Sequence, residues 1–188
     1  MRPDLGKQFQ LTVVVVGFFT TLQLLIVQEW TRPVILGRVV VTLAFSLACA
    51  IRYWWVILLL AWPARWFRTL LLLLAWSALP VTAVMVGNVV RWGLALAVLS
   101  AVGCITEIYN FITRQWSVGS AEVSASLKSV HVIGAAAAGG AAVILAGAIV
   151  FLPSWLDVII PVLVIVDFAR LIMMIQRHQR LIEVGLLP

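Results

Sequence analysis

Four ionisable residues stand inside otherwise apolar stretches of this sequence: Arg52, Glu107, Asp167 and Arg170. An uncompensated charge near the centre of a bilayer costs at least about 3 kcal/mol, so such side chains usually pair with one another or mark an ion path. Asp167 and Arg170 are three residues apart and share one helix face, which allows them to pair. Glu107 is a natural second partner for Arg170 or Arg52. We call these four residues the charge cluster, and its formal charges sum to zero.

Two interpretations of the charge cluster are open. A structural clasp would fix the register of the helices, with Arg170 extending toward the membrane surface. A functional site would conduct protons or ions, because intramembrane carboxylates often mark such a path. The clasp is favoured, since a path needs polar residues along its length and the remaining halves of these segments are almost purely aliphatic.

Motifs of enzymes and of metal or nucleotide sites do not occur in the sequence. It contains no P-loop, no HExxH, no His and carboxylate spacing typical of a metal site, and no glycine-rich phosphate-binding loop. Cys49 and Cys104 both fall in apolar runs, where we expect small hydrophobic side chains rather than a disulfide. The sequence therefore predicts no enzyme activity, no cofactor and no bound metal.

The elements that position the charge cluster must be membrane helices. Hydrophobic residues make up 64% of the 188 residues and charged residues 11%, whereas soluble domains carry roughly a quarter charged residues. The net charge of +6 does not indicate nucleic-acid binding, because Lys and Arg are scattered between apolar runs. We expect a polytopic membrane protein, with residues 1–188 forming a single integral domain in the lipid bilayer.

Six stretches are long enough to cross a bilayer, which takes about 20 apolar residues. Backbone groups in lipid must be satisfied internally, so each stretch is predicted to be an α-helix. The predicted all-α bundle has spans at about 9–28, 39–62, 69–88, 92–113, 130–152 and 156–176. The first span is expected to be retained, because its apolar run is too long for a signal peptide and no small-x-small site follows it. The Ser-rich connection 114–128 is expected to lie at the surface, with room for a short helix.

The second span is ambiguous, because its apolar character extends over residues 33–62. A long tilted helix over the predicted span would bury Arg52. A helix that ends near Ile51 would instead place Arg52 at the membrane surface, beside Trp54 and Trp55. The sequence leaves both interpretations open.

The distribution of basic residues predicts that both termini lie in the cytoplasm. With six spans and the N-terminus inside, the inner side holds eight Lys and Arg residues and the outer side three, which is a clear positive-inside bias. The inner set is Arg2, Lys7, Arg65, Arg68, Arg114, Lys128, Arg177 and Arg180, and the outer set is Arg32, Arg38 and Arg91.

Tryptophans support the same arrangement, because Trp is enriched at both membrane interfaces. The residues predicted at outer ends are Trp30, Trp92 and Trp155, and those predicted at inner ends are Trp62, Trp66 and Trp116. Trp76 lies deep in the third span and is expected in the core. His131, near the start of the fifth span, is expected at the headgroup level as a solvated side chain.

Small residues recur at a spacing of four in the fifth span, where Ala135 precedes Gly139 and Ala136 precedes Gly140. This spacing lets helix backbones approach closely in lipid. A helix of the same chain and a helix of a partner subunit both fit the pattern, and the sequence does not separate them.

These features together predict a non-catalytic membrane subunit or scaffold of a larger assembly in the cell inner (plasma) membrane. Its partners would be other membrane subunits or further copies of the same chain. The alternative is a small transporter or a proton or ion channel that uses Glu107 and Asp167. A transporter requires a water-reachable cavity at these two carboxylates, whereas a scaffold requires them dry and paired.

Overall fold

The computed structural model describes residues 5–28, 30–59, 66–113 and 121–183. Within these ranges the chain forms six α-helices, which are α1 (Leu5–Ile26), α2 (Pro33–Leu59), α3 (Trp66–Val84), α4 (Val89–Ile112), α5 (Ala121–Phe151) and α6 (Leu156–Glu183). Each helix contains a stretch long and apolar enough to cross a membrane. The predicted all-α architecture with six apolar helices is therefore confirmed, and it indicates a lipid bilayer environment. The side on which the termini lie stays a prediction.

Local sequence accounts for the starts of several helices. Pro33 opens α2, a position where its missing N–H group is not needed. Asn88 caps α4, because its side-chain oxygen accepts a hydrogen bond from the Arg91 backbone N–H at 3.1 Å. Pro153 begins the short 3₁₀ turn that connects α5 to α6.

Helices α2, α4 and α6 begin at the same end of the bundle, which we call the turn end. We call the opposite end the terminal end.

The six helices form a closed ring in the order α1, α3, α4, α5, α6 and α2, in which each helix contacts the next. The most extensive contact is between α4 and α5, and the contact between α2 and α6 closes the ring. Buried apolar residues form one core around Trp92 and Leu156 and a second around Trp76 and Leu72. In this ring, each of the helices α2, α3, α4, α5 and α6 turns one face toward a shared interior.

The structure decides between the two interpretations of the second span. α2 continues without a break past Arg52 to Leu59, so the prediction of a helix end near Ile51 is wrong. The Arg52 side chain is only 20% exposed, because a carboxylate on α6 compensates its charge inside the bundle. α2 also begins earlier than predicted, so Arg38 lies within the helix.

α5 begins at Ala121, and part of the predicted 114–128 connection is therefore helical. Val123 and Leu127 are 0% and 1% exposed, and their spacing of four places both on one apolar helix face. Burial of this face extends the helix beyond the membrane span predicted from hydropathy. Residues 114–120 lie outside the described part of the chain.

Trp92, which the sequence predicts at the outer membrane interface, lies in the first turn of α4 with its side chain turned into the bundle. Trp92 is 0% exposed, and its Nε1–H donates to the Thr42 hydroxyl at 3.0 Å. The indole N–H thus finds a partner on α2 instead of in the headgroup layer. Trp76 is buried in the core, as expected. Trp30, Trp66 and Trp155 are exposed, and Trp62 and Trp116 lie outside the described residues.

Candidate functional site

Helices α2, α4 and α6 bring the four residues of the charge cluster together. Arg52 Nη2 donates to Asp167 Oδ1 at 2.6 Å, across the contact between α2 and α6. Arg170 Nη2 donates to Glu107 Oε1 at 3.5 Å, across the contact between α4 and α6. Arg170 Nη1 also lies 3.7 Å from Asp167 Oδ1. The cluster is one connected network over three helices.

The shortest ion pair of Asp167 is with a residue on another helix. Its carboxylate lies 2.6 Å from Arg52 and 3.7 Å from Arg170. The spacing of three residues makes Asp167 and Arg170 neighbours, but Arg170 also reaches toward Glu107 on α4. Asp167 therefore lies between two cations, and Arg170 lies between two carboxylates.

His131 belongs to the cluster, which corrects the prediction that it is a solvated residue at the headgroup level. Its side chain is 3% exposed, and Nδ1 lies 2.7 Å from Glu107 Oε2. When Nδ1 carries the proton, it donates to the carboxylate. The early start of α5 places His131 within the bundle, so Glu107 has a partner on α5 and another on α6.

The backbone of α5 passes close to the cluster at Gly134. A Cβ atom there would lie 2.6 Å from Arg170 Nη2 and 2.9 Å from Glu107 Oε1. Any other residue at this position would have to displace the pair formed by these two side chains. The spacing of small residues in the sequence does not single out Gly134, although this residue opens the run of small residues at 134–140.

A third guanidinium group enters the site from α3. Arg68 is 2% exposed, whereas the sequence analysis placed it in a connection on the inner side. Its guanidinium lies within hydrogen-bonding reach of the Tyr53 hydroxyl on α2. α3 begins at Trp66, earlier than predicted, and this additional turn brings Arg68 into the bundle.

The charge cluster forms the polar end of an internal chamber of about 420 Å³. This volume is within the range of about 300–1,000 Å³ that small-molecule sites occupy. The Arg, His, Asp and Glu residues on its wall are Arg52, Arg68, Glu107, His131, Asp167 and Arg170. Much of the remaining wall is apolar and includes Leu79, Leu96, Leu145 and Ile160.

The chamber reaches the outer surface of the bundle between α5 and α6. Four residues that line it are also exposed: Ala136, Gly140, Ile144 and Val166. A Cβ atom on Gly140 would meet no atom within 4 Å, so the small residues leave open space there. Because both flanking helices are candidate spans, this lateral opening would face hydrocarbon in a bilayer. From residue 136 to residue 144 it extends over about 12 Å of helix.

The four residues predicted as the packing face of α5 lie in two different surroundings. Gly139 faces α4, where a Cβ atom would lie 3.1 Å from Cys104 Sγ. Ala135 is half-buried, whereas Ala136 and Gly140 are exposed beside the lateral opening. The run of small residues thus serves a close contact within the chain on one side and leaves a gap on the other.

A second ion pair joins α2 to α6 at the turn end. It was not predicted from the sequence. Arg38 Nε and Nη2 donate to the two carboxylate oxygens of Asp157 at 2.7 and 2.9 Å, which is the bidentate geometry of a strong pair. Arg38 Nη1 donates to the Val86 carbonyl at 2.9 Å. The guanidinium carbon lies 5.9 Å from the centre of the Trp92 ring. We call this group the turn-end clasp.

Comparison of the chain with protein-family models, curated proteins and solved structures gives no match.

Proposed function

We propose that this protein is a small membrane carrier that holds its substrate in the chamber, with the charge cluster as the polar part of the binding site. One observation carries the proposal: both intramembrane carboxylates, Glu107 and Asp167, lie on the wall of a space of about 420 Å³. A purely structural clasp would be expected in a close-packed interior without such a space. The proposed role is binding and translocation, without enzymatic chemistry.

The surroundings of the chamber favour a carrier over a channel. Toward the turn end, the described wall contains Leu79, Leu96 and Ile160, and a proton or ion path needs polar groups or water along its length. The turn-end clasp joins α2 to α6 beyond this apolar region. A site that is polar at one end and apolar at the other fits a bound molecule better than a stream of ions.

The charge cluster also supplies pairs that can exchange partners. Asp167 lies between Arg52 and Arg170, and Glu107 lies between Arg170 and His131. A substrate that binds one of these cations would release a carboxylate to the neighbouring cation. Binding would thereby favour one arrangement of α2, α4 and α6 over another, which is what a carrier needs in order to change its conformation.

We place the carrier in the cell inner (plasma) membrane with both termini in the cytoplasm. The support for this placement is the excess of basic residues on one side of the predicted topology, eight against three.

The proposal is tested by asking whether a small molecule occupies the chamber. Protein purified in mild detergent should show a low-mass adduct by native mass spectrometry. Ala141→Phe, which fills the chamber from α5, should remove the adduct. Val143→Phe is the matched control, because Val143 lies on the same helix and is 73% exposed to the outside.

Once the adduct is identified, its flux into proteoliposomes should depend on the protein and fall in Asp167→Asn. A wild-type protein without an adduct, or two Phe variants that retain it equally, would contradict the proposal.

A scaffold subunit is the second candidate. It is favoured by the exposure of Ala136 and Gly140, since a surface stripe of small residues suits the close approach of a partner helix. This function predicts a stoichiometric membrane protein that co-purifies with the wild type, is lost from Ala136→Leu and is retained by Val143→Phe. A carrier that transports when reconstituted alone would exclude it.

A further inference from the structure

We infer that the chamber takes a single-chain lipid with an anionic headgroup. The headgroup would lie at the charge cluster and the hydrocarbon chain in the apolar part of the chamber. The inference rests on the proposed function, since it assigns a substrate class to the same site. The charge of the chamber wall, the shape of the chamber and its route of access support this assignment.

The charge of the wall favours an anion. Among the described residues that line the chamber, three guanidinium groups, those of Arg52, Arg68 and Arg170, accompany two carboxylates, those of Glu107 and Asp167. One positive charge is therefore in excess. An anionic headgroup neutralises this excess, whereas a cationic headgroup would add to it in a site poorly screened by water.

The shape of the chamber suits one hydrocarbon chain. Its volume of about 420 Å³ is in the lower part of the range for small-molecule sites. Its apolar part lies between the charge cluster and the turn-end clasp. Along α6 these two groups are separated by the rise from Asp157 to Asp167, about 15 Å. A chain bound lengthwise would replace empty space with apolar contacts.

The route of access favours a molecule that is already in the membrane. The lateral opening faces hydrocarbon, so a lipid can enter it without leaving the bilayer. Gly134, which lies against Arg170 and Glu107, and Ala136 at the edge of the opening are separated by about 3 Å of helix rise. The charge cluster and the near end of the opening therefore lie at a similar depth along α5.

The test uses probes that share one oleoyl or oleyl chain and differ in the headgroup. Wild-type protein is mixed with equimolar lysophosphatidic acid, oleic acid, monooleoylglycerol and oleylamine, and the bound species are quantified by native mass spectrometry. Each acidic probe should be bound at least about tenfold more than the neutral and cationic probes, the ratio expected from one charge-assisted hydrogen bond. Arg170→Gln should reduce this preference, and Arg170→Lys should keep most of it.

The route is tested with two variants of α5. Gly140→Leu places a side chain at the lateral opening and should slow the loading of lysophosphatidic acid from vesicles. Gly147→Leu is the matched control, because a Cβ atom there also meets nothing within 4 Å and the residue does not line the chamber. Equal loading rates in the two variants would contradict the lateral route.

The competition experiment also distinguishes failure of the anionic-lipid assignment from failure of the proposed carrier function. Equal binding of the four probes, or a preference for oleylamine, would overturn the anionic-lipid assignment and leave a carrier of another substrate possible. If none of the four probes binds and the purified protein carries no small molecule, the proposed function fails together with the assignment.

Discussion

Arg52 can stand in a membrane helix because Asp167 lies 2.6 Å from it on the facing helix. Each charge alone would be exposed to a medium that solvates it poorly, and each is retained by the presence of the other. The longer contact of Asp167 with Arg170, at 3.7 Å, contributes less because the attraction weakens with distance. This ranking of partners leads to a prediction that does not depend on the substrate.

Removing one member of the close pair should destabilise the protein by about 3–5 kcal/mol, because the other charge is then left buried. Arg52→Leu and Asp167→Leu should each lower the midpoint of thermal unfolding in detergent. The double variant should recover much of the loss, since replacing a buried pair by apolar residues is often nearly neutral.

The corresponding cycle with Arg170→Leu and Asp167→Leu serves as the comparison and should show a smaller recovery. If the Arg170 cycle recovers as much as the Arg52 cycle, the ranking of partners taken from the distances is wrong.

Gly134 gives the second prediction. Gly134→Ala introduces a Cβ atom where Arg170 and Glu107 leave no room, so these two side chains must move apart. The expected loss is about 1 kcal/mol, at the low end for overpacked sites, because the atoms met are the ends of flexible side chains, and the midpoint of thermal unfolding should fall. Gly147→Ala is the control, because its Cβ atom meets nothing within 4 Å. Equal stability of the two variants would show that α5 does not approach the cluster at Gly134.

The sequence predicted the members of the charge cluster and the pairs of Arg170 with Asp167 and Glu107, but not the shorter pair between Arg52 and Asp167. Charges at similar depth on alternate spans can be recognised from hydropathy and helical rise. Which carboxylate meets which cation depends on the rotation and tilt of each helix, and these are set by packing rather than by length. Arg68 and His131 were missed for a related reason, because α3 and α5 begin earlier than the apolar runs and carry both residues into the bundle.

At the scale of the helices, the contact between α4 and α5 depends on small side chains. Gly139→Leu should separate these helices, because even a Cβ atom would lie 3.1 Å from Cys104 Sγ. We expect a lower midpoint of thermal unfolding and a lower yield. Gly140→Leu should leave both nearly unchanged, since the neighbouring position is open. Combining Gly139→Leu with Cys104→Ala should restore part of the loss.

The opposite order, with Gly140→Leu the more damaging of the two, would mean that α5 presents a different face to α4. Sequence spacing alone could not make this distinction, since Gly139 and Gly140 belong to two equivalent patterns of small residues. The distinction comes from the structure, which turns one pattern toward α4 and the other toward the lateral opening.

The presence of the six helices could be predicted from the sequence, but the residues at which they begin and end could not. Six apolar runs of spanning length leave little choice of structure in lipid, and all six appear. The start of α5 escaped prediction because Ser residues separate Val123 from Leu127 and obscure the apolar face. The continuation of α2 past Arg52 was one of two open interpretations, because the second span alone does not show that a carboxylate on α6 compensates Arg52.

For the molecule as a whole, an even number of spans places both termini on one side, and the bias in basic residues predicts that this side is the cytoplasm. Reporter fusions at the N-terminus and at the C-terminus should both report a cytoplasmic location. An insertion after Leu152, in the turn between α5 and α6, should report the opposite side.

Termini on different sides would contradict six membrane crossings. Two termini outside, with the insertion inside, would leave the six crossings intact and contradict only the orientation.

The closure of the ring by α2 and α6 has a consequence for how the protein is made. Arg52 and Asp167 are 115 residues apart, and Arg38 and Asp157 are 119 apart. At about 5–20 residues per second, the ribosome needs on the order of 10 s to synthesise such an interval. During that time α2 is already in the membrane, but Asp157 and Asp167, which pair with its arginines, have not yet been synthesised.

A nascent chain that ends after Phe151 is therefore expected to be recognised as unfinished and degraded. Pulse-chase labelling should show a short half-life for this truncated chain, and Arg52→Leu in the same chain should lengthen it. Equal half-lives would contradict the idea. Synthesis of α6 would then decide whether α2 is kept in the membrane, which makes the order of synthesis part of the quality control of this protein.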